Sequence, residues 1–182
     1  MRLCPPSLSF ILYNPVRKAL TDRTKVLDES CIKFDSVVLE VGAGNGFFTE
    51  VLAGHAKKVY AVELQDGMVR KLIKRVKRFG ANVDIRHCDI AACDIGIEFA
   101  DVCLMYYSFH EVSSQEDASV NIGRALKTGG ILSIYEPAIE VDKSAMHKTV
   151  KLFEDIGFKK DMARDGIFTR FTRLKKTVTS DK

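Results

Sequence analysis

The sequence predicts an α/β fold, a mostly parallel sheet with helices on both faces. Short apolar runs alternate with amphipathic stretches of helical period, the pattern of strands joined by crossover helices. The apolar run Val37–Val41 leads into glycines at positions 42, 44 and 46 and then into Phe47-Phe48-Thr49-Glu50-Val51-Leu52. A buried strand, a tight glycine turn and a helix start make a cradle for a nucleotide-like ligand. The run 100–106 is apolar along its length, as a strand covered on both faces must be.

Taken in order, residues 1–14 read as irregular, and Asn14-Pro15 opens a helix bearing Val16, Ala19 and Leu20. A short helix fits 24–30. These N-terminal helices precede the first strand and are expected to cover the cofactor pocket as a segment over 1–33. Strand 1 spans 36–41 and helix A runs from Phe47 to about Gly54. Strand 2 is 58–62, ending at Glu63, and helix B runs from Asp66 to Phe79 before Gly80. Strand 3 is 82–87, strand 4 is 100–106, and helix D fits 114–126 with Lys127-Thr128-Gly129-Gly130 as its stop. Strand 5 is 131–135, helix E runs 143–156, and Phe158–Ala163 with Ile167–Leu174 form a closing antiparallel hairpin. Residues 175–182 read as a polar tail.

The chain has 182 residues, enough for a single domain with a full core. Hydrophobic residues are 46%, charged residues 29% and the formal net charge is +4, values typical of a globular protein. Apolar runs fall short of a membrane span, and Met1–Tyr13 lacks a signal-peptide pattern. The cysteines at 4, 31, 88, 93 and 103 show no metal spacing, so reduced thiols, a cytoplasmic setting and no metal are expected.

Glu63 ends the strand after the glycine turn, where its carboxylate can accept from both ribose hydroxyls of an adenosine. A dinucleotide fingerprint needs a small residue where Phe47 stands, and the third glycine comes one place early. Glu40-Val41-Gly42-Ala43-Gly44-Asn45-Gly46 instead resembles motif I of the class I S-adenosylmethionine-dependent methyltransferases. Tyr60–Leu64, Cys88-Asp89-Ile90, strand 4 and Leu126–Leu132 resemble that superfamily's later motifs, with Thr128 at the usual proline. His110-Glu111-Val112 and Tyr135-Glu136-Pro137 look most like its type-11, small-molecule branch.

The resemblance implies a Rossmann-like three-layer sandwich with seven strands in the order 3-2-1-4-5-7-6, strand 7 antiparallel. It implies S-adenosyl-L-methionine as cofactor and S-adenosyl-L-homocysteine as product. Glu40, Gly42, Ala43, Gly44, Gly46, Glu63, Leu64, Asp89, Ile90 and Tyr106 are the expected cofactor residues.

Tyr106–Glu111 follows strand 4 at the carboxyl end of the sheet, where open α/β sheets place ligands. His110 is a candidate base with Glu111 orienting it; the alternative is a histidine bonded to backbone and a glutamate capping helix D. Tyr13 covers the methyl end or packs on the surface. The rRNA adenine methyltransferases, which the second motif also resembles, carry Asn-Leu-Pro-Tyr after strand 4, whereas this chain has Tyr106-Tyr107-Ser108-Phe109.

Helix B carries Arg70, Lys71, Lys74, Arg75, Lys77 and Arg78 opposite an apolar stripe that includes Ile73 and Phe79. It reads as a solvated face, with a phosphate-tracking surface as the other reading. Cys88 and Cys93 flank the adenine loop, a placement that suggests soft-metalloid chemistry but does not favour it, and Cys103 reads as core. A small-molecule acceptor is expected. RNA methylation, a non-catalytic cofactor-binding partner protein and a homodimer that completes an open site stay as alternatives.

Overall fold

The computed structural model describes residues 21–177. The helix expected at Asn14-Pro15, Tyr13 and the last residues of the polar tail lie outside them. Seven strands form one sheet: β1 (Val37–Val41), β2 (Lys58–Glu63), β3 (Val83–His87), β4 (Ala100–Tyr106), β5 (Leu126–Pro137), β6 (Phe158–Asp165) and β7 (Thr169–Lys176). Their order is β3-β2-β1-β4-β5-β7-β6, with β7 antiparallel to both neighbours. This is the order and the antiparallel strand that the sequence resemblance implies.

The helices are α1 (Arg23–Glu29), α2 (Thr49–His55), α3 (Asp66–Val76), α4 (Gln115–Ala125) and α5 (Lys143–Glu154). Side chains fix three of their starts. Asp22 accepts from the Lys25 N–H at 3.0 Å, Ser114 from Asp117 and Asp142 from the Ala145 N–H at 2.7 Å. Each satisfies one orphan donor of a first turn.

Strand β4 explains why the sheet is a middle layer. Cys103 and Met105 enter a core beneath α4 and α5, built with Ile122, Val150 and Phe153. Val102 and Leu104 enter the opposite core beneath α1, α2 and α3, with Leu27, Leu52 and Leu72. Successive side chains of a strand point to opposite faces, so an unbroken apolar run fills both.

Several boundaries differ from expectation. Helix α2 begins at Thr49 rather than Phe47, because the Thr49 hydroxyl donates to Glu40 across the turn. Helix α3 ends at Val76 and tightens into a 3-10 turn over Lys77–Asn82, which Gly80 breaks with φ 53°. Ile73 of the expected apolar stripe is 50% exposed; Met68, Val69, Leu72 and Val76 hold the buried face. Lys127–Gly130, expected as a turn, lies within β5 as a bulge: β4 pairs Ala100 with Leu126 and then Val102 with Ile131. Lys175 and Lys176 belong to β7, not to the tail, and the Lys176 ammonium is buried on the Leu126 carbonyl at 2.8 Å.

Leu104 is fully buried in the central strand. Leu104→Ala is expected to cost about 2–5 kcal/mol, through lost transfer energy and the cavity left behind. Urea denaturation would show a lower midpoint at unchanged slope; a shift under about 1 kcal/mol would mean that the site collapses around the gap.

Candidate functional site

The site forms where β1, β2, β4 and β5 end. The glycine turn leaves β1 with the Gly42 and Ala43 N–H groups both on the Val62 carbonyl, at 2.9 and 3.0 Å. Gly42 has φ +75°, and a Cβ there would stand 2.3 Å from the Ser108 Cβ. The loop after β4 therefore presses directly on the turn, and the Ser108 hydroxyl donates to the Val41 carbonyl at 2.7 Å. At Gly44, φ +58°, a Cβ would meet nothing within 4 Å. That side of the turn is open, as a ligand cradle requires. Gly46 is where the turn backs onto Leu72 of α3.

Two acids flank the turn. Glu63, 6% exposed, accepts from the Gly44 N–H on one oxygen and the Gln65 N–H on the other, both at 2.7 Å. A carboxylate has about four lone-pair positions, so capacity remains for hydroxyl donors. Glu40 is 5% exposed and accepts from the Thr49 hydroxyl at 2.6 Å. Burial, with a smaller contribution from the Glu63 charge, pushes its carboxyl up to about 8 despite the Thr49 bond.

The residues expected at the adenine, Asp89 and Ile90, follow β3. Asp89 accepts from the Ala91 N–H at 2.9 Å and from the Ser113 hydroxyl at 3.3 Å. Ile90 is buried, with its carbonyl held by Asn121 at 2.9 Å, and Leu64 is 46% exposed beside them. The expectation of reduced thiols fails here, because Cys88 and Cys93 form a disulfide around Asp89. The Ala92 and Cys93 N–H groups both bond the Asp89 carbonyl and curl the loop, bringing the two Cα atoms to 6.1 Å. Cys103 is free and buried in β4, as expected. No group of three or more His, Cys, Asp or Glu able to hold a metal occurs among the described residues.

The side expected to face an acceptor is aromatic and acidic. The Tyr106 ring lies 4.4 Å from Phe48, 4.4 Å from Tyr107 and 5.4 Å from Tyr135, centroid to centroid. His110 sits on a 3-10 turn after β4. Its Nδ1 meets Glu136 at 2.5 Å, its backbone N–H donates to the same carboxylate at 3.1 Å, and its Nε2 lies 3.3 Å from Glu140. Burial lowers the imidazole pKa, but the Glu136 hydrogen bond and the charges of Glu136, Glu140 and Glu111 more than offset it, leaving it raised.

The expected partner, Glu111, is not the orienting group. Burial raises its own pKa, against the opposing His110 charge and with smaller help from Glu140, Glu63 and Glu136, while Glu136, 1% exposed at the end of β5, holds the ring. The signal for Glu136 was a glutamate closing a strand parallel to β4, with Tyr106 paired to Tyr135.

A buried acid with a raised pKa lowers stability as it ionises. Between 4.5 and about 8 the folded chain keeps the Glu40 proton that the unfolded chain has lost. Stability relative to Glu40→Gln should therefore fall across that window, by up to about 1.4 kcal/mol per pH unit, and level off above it. Urea midpoints of both proteins from acid to alkaline pH measure this; parallel curves would reject it.

A methyltransferase-domain family model matches residues 39–134, more than half the chain. An uncharacterised methyltransferase-like protein of Schizosaccharomyces pombe is 34% identical over 110 residues, covering 60% of this chain and 41% of that protein. A ribosomal RNA small subunit methyltransferase A of Thermotoga neapolitana is 35% identical over 85 residues, 46% of this chain and 32% of its own. The chain spans 41–66% of the length of the first curated relatives it matches.

Among solved structures, a SAM-dependent methyltransferase from Aquifex aeolicus superposes with a TM-score of 0.84 at 25% identity, over 96% of this chain and 100% of that one. An N-methyltransferase of Bradyrhizobium japonicum, solved with S-adenosyl-L-homocysteine, shares the fold with a TM-score of 0.70 at 18% identity, over 85% of each chain. The strand order is that of the Rossmann-like methyltransferase fold, the family's cofactor is S-adenosyl-L-methionine, and the chain belongs to that methyltransferase-domain family.

Proposed function

We propose that this chain transfers the methyl group of S-adenosyl-L-methionine to a small-molecule acceptor held at the ends of β4 and β5. The observation that carries the reading is the loop after β4. It closes on the glycine turn through Ser108 and sets His110 on the buried Glu136.

The cofactor supplies a methyl group on a sulfonium, already activated for in-line displacement. Glu63 would take the ribose hydroxyls, Leu64, Asp89 and Ile90 the adenine, and Glu40, Gly42, Ala43, Gly44, Gly46 and Tyr106 the methionine end. The open face at Gly44 and the spare acceptor capacity of Glu63 support this placement. The chain's main contribution is positioning. His110 would remove a proton from the acceptor through Nε2, while Glu136 fixes the ring by taking Nδ1–H. We further place the protein in the cytoplasm, and a homodimer is one way to complete the site. No helix among the described residues is long and apolar enough to cross a membrane.

RNA methylation is the second reading, favoured by the ribosomal RNA enzyme among the partial relatives. Against it, Arg70 pairs with Asp66 and Arg78, in the turn after α3, with Glu50 at 2.9 Å, so part of this basic face is already neutralised. A salt-dependent RNA shift lost on charge reversal of Lys74 and Arg78 would favour RNA.

Calorimetric titration with S-adenosyl-L-homocysteine should show binding that Glu63→Ala abolishes. No binding, or binding indifferent to that substitution, would sink the cofactor assignment. With an acceptor identified from a panel of amines, phenols and thiols, His110→Ala should lower turnover by about 10²–10⁴-fold and leave homocysteine-adduct binding intact. Turnover of the parent should fall as pH drops through a His110 pKa above 6.5. Glu136→Gln removes the partner that favours the imidazolium and should move that midpoint to lower pH. A profile that stays in place would leave His110 a structural residue.

A further inference from the structure

The loop after β3 carries a covalent ring. Cys88 and Cys93 are joined, and the ring they close holds Asp89 and Ile90, the two residues expected at the adenine. Inside it, the Ala92 and Cys93 N–H groups donate to the Asp89 carbonyl at 3.0 and 2.9 Å, and the Ala91 N–H to the Asp89 carboxylate at 2.9 Å. At its head, the Cys88 N–H donates to the Glu63 carbonyl at 3.2 Å, so the loop hangs on the backbone of the acid proposed for the ribose. From outside, Asn121 of α4 holds the Ile90 carbonyl at 2.9 Å and the Ser113 hydroxyl donates to Asp89 at 3.3 Å.

We propose that the Cys88–Cys93 pair is a thiol–disulfide switch on cofactor affinity, with the bonded form the tighter binder. This rests on the cofactor reading above and adds a control to it. Ile90 is buried, but Asp89 is only half-buried, so packing fixes one of the two residues and not the other. With the bond open, Asp89 is placed by hydrogen bonds with which water competes. A binding group that must be ordered when its ligand arrives takes that cost out of the affinity. With the bond closed, the order is already in place. A ring this short removes less freedom from the unfolded chain than one closing a long loop, so its effect is local to the turn.

Both sulfurs belong to partly exposed residues, within reach of a small thiol. The free thiols among the described residues lie elsewhere: Cys103 is fully buried in β4, and Cys31 follows α1 beside Arg173. Reduction runs by exchange. A small thiolate attacks one sulfur of the bond, and the other leaves as a thiolate that takes up a proton. A second small thiolate then attacks the mixed disulfide, releasing the remaining cysteine, which is protonated in turn, and the reagent's own disulfide. The protein gains two electrons and two protons, and two molecules of the reagent lose them; the reagent disulfide drives the reverse. In the cytoplasmic setting proposed above, disulfides are mostly transient or redox-sensing, which suits a switch better than a permanent staple.

Calorimetric titration with S-adenosyl-L-homocysteine, run on the oxidised protein and again in excess dithiothreitol, should give a Kd about 10-fold weaker after reduction. Cys88→Ser combined with Cys93→Ser should bind with the weaker Kd and ignore the reductant, while Cys31→Ser keeps the shift. Linkage makes the effect reciprocal. In the parent protein, alkylation trapping across glutathione mixtures should place half-reduction at a ratio of squared thiol to disulfide about 10-fold higher when S-adenosyl-L-homocysteine saturates. Equal affinity in the two states, tighter binding after reduction, or a midpoint indifferent to the ligand overturns the switch. So does trapping that finds both thiols free in the most oxidising mixture. Absence of binding in both states fails the cofactor reading and takes the switch with it, and the trapping then still reports whether the bond forms.

Discussion

The carboxylate of Glu63 is the constraint on which the site depends. One oxygen holds Gly44 and the other holds Gln65, so a single side chain joins the glycine turn to the start of α3. Both bonds are charge-assisted and close to fully buried, which makes them strong and makes their loss costly. At Gly44 itself this bond holds the turn, beside the bonds of Gly42 and Ala43 to the Val62 carbonyl. Gly44 has φ +58° and empty space on its open side, so no packing holds it there. The group that would recognise the ribose is thus also the group that shapes the cradle, and a change at Glu63 removes both functions together.

The packing on the far side of the turn completes that constraint. Gly42 leaves room for Ser108 at a separation no side chain would tolerate, which fixes the loop after β4 against β1. Tyr107 follows the end of β4 with φ 58°, a conformation uncommon for a non-glycine residue. It is held by its N–H on the Tyr135 carbonyl at 2.8 Å and its hydroxyl on Thr169. That kink carries the chain from the strand into the 3-10 turn and aims His110 at Glu136. The aromatic stack from Phe48 to Phe171 then joins the glycine turn, β4, β5 and β7 into one rigid rim.

What was legible in the sequence was local. Val37 to Glu63 could be read directly, since strand, turn, helix and closing acid lie in one short segment whose residues constrain one another. The buried run 100–106 was legible because two-sided burial leaves no polar positions. The partner of His110 was not legible in the same way. Glu136 lies 26 residues away and reaches the ring only through the register of β4 on β5, whereas Glu111 was next in sequence and looked like the natural partner. The Cys88–Cys93 disulfide was missed for a related reason, because its spacing fits no metal or redox motif and depends on how the Asp89 loop curls. The bulge at Lys127–Gly130 carries turn residues, and only the pairing of Ala100 with Leu126 makes it part of a strand.

The distribution of charge around the site has its own logic. Glu40 and Glu63 face the turn, and Glu111, Glu136 and Glu140 surround His110. Burying Glu40, Glu63 and Glu136 at one edge is costly, and the chain divides the cost. Glu63 is met by two backbone donors, Glu136 by the imidazole and main chain of His110, and Glu40 holds its proton into neutral pH. A sulfonium cofactor bound as proposed would bring positive charge into this edge, where a low local dielectric makes each attraction larger than in water. On the proposed function, the acids that strain the free protein would be the ones that favour a cationic cofactor.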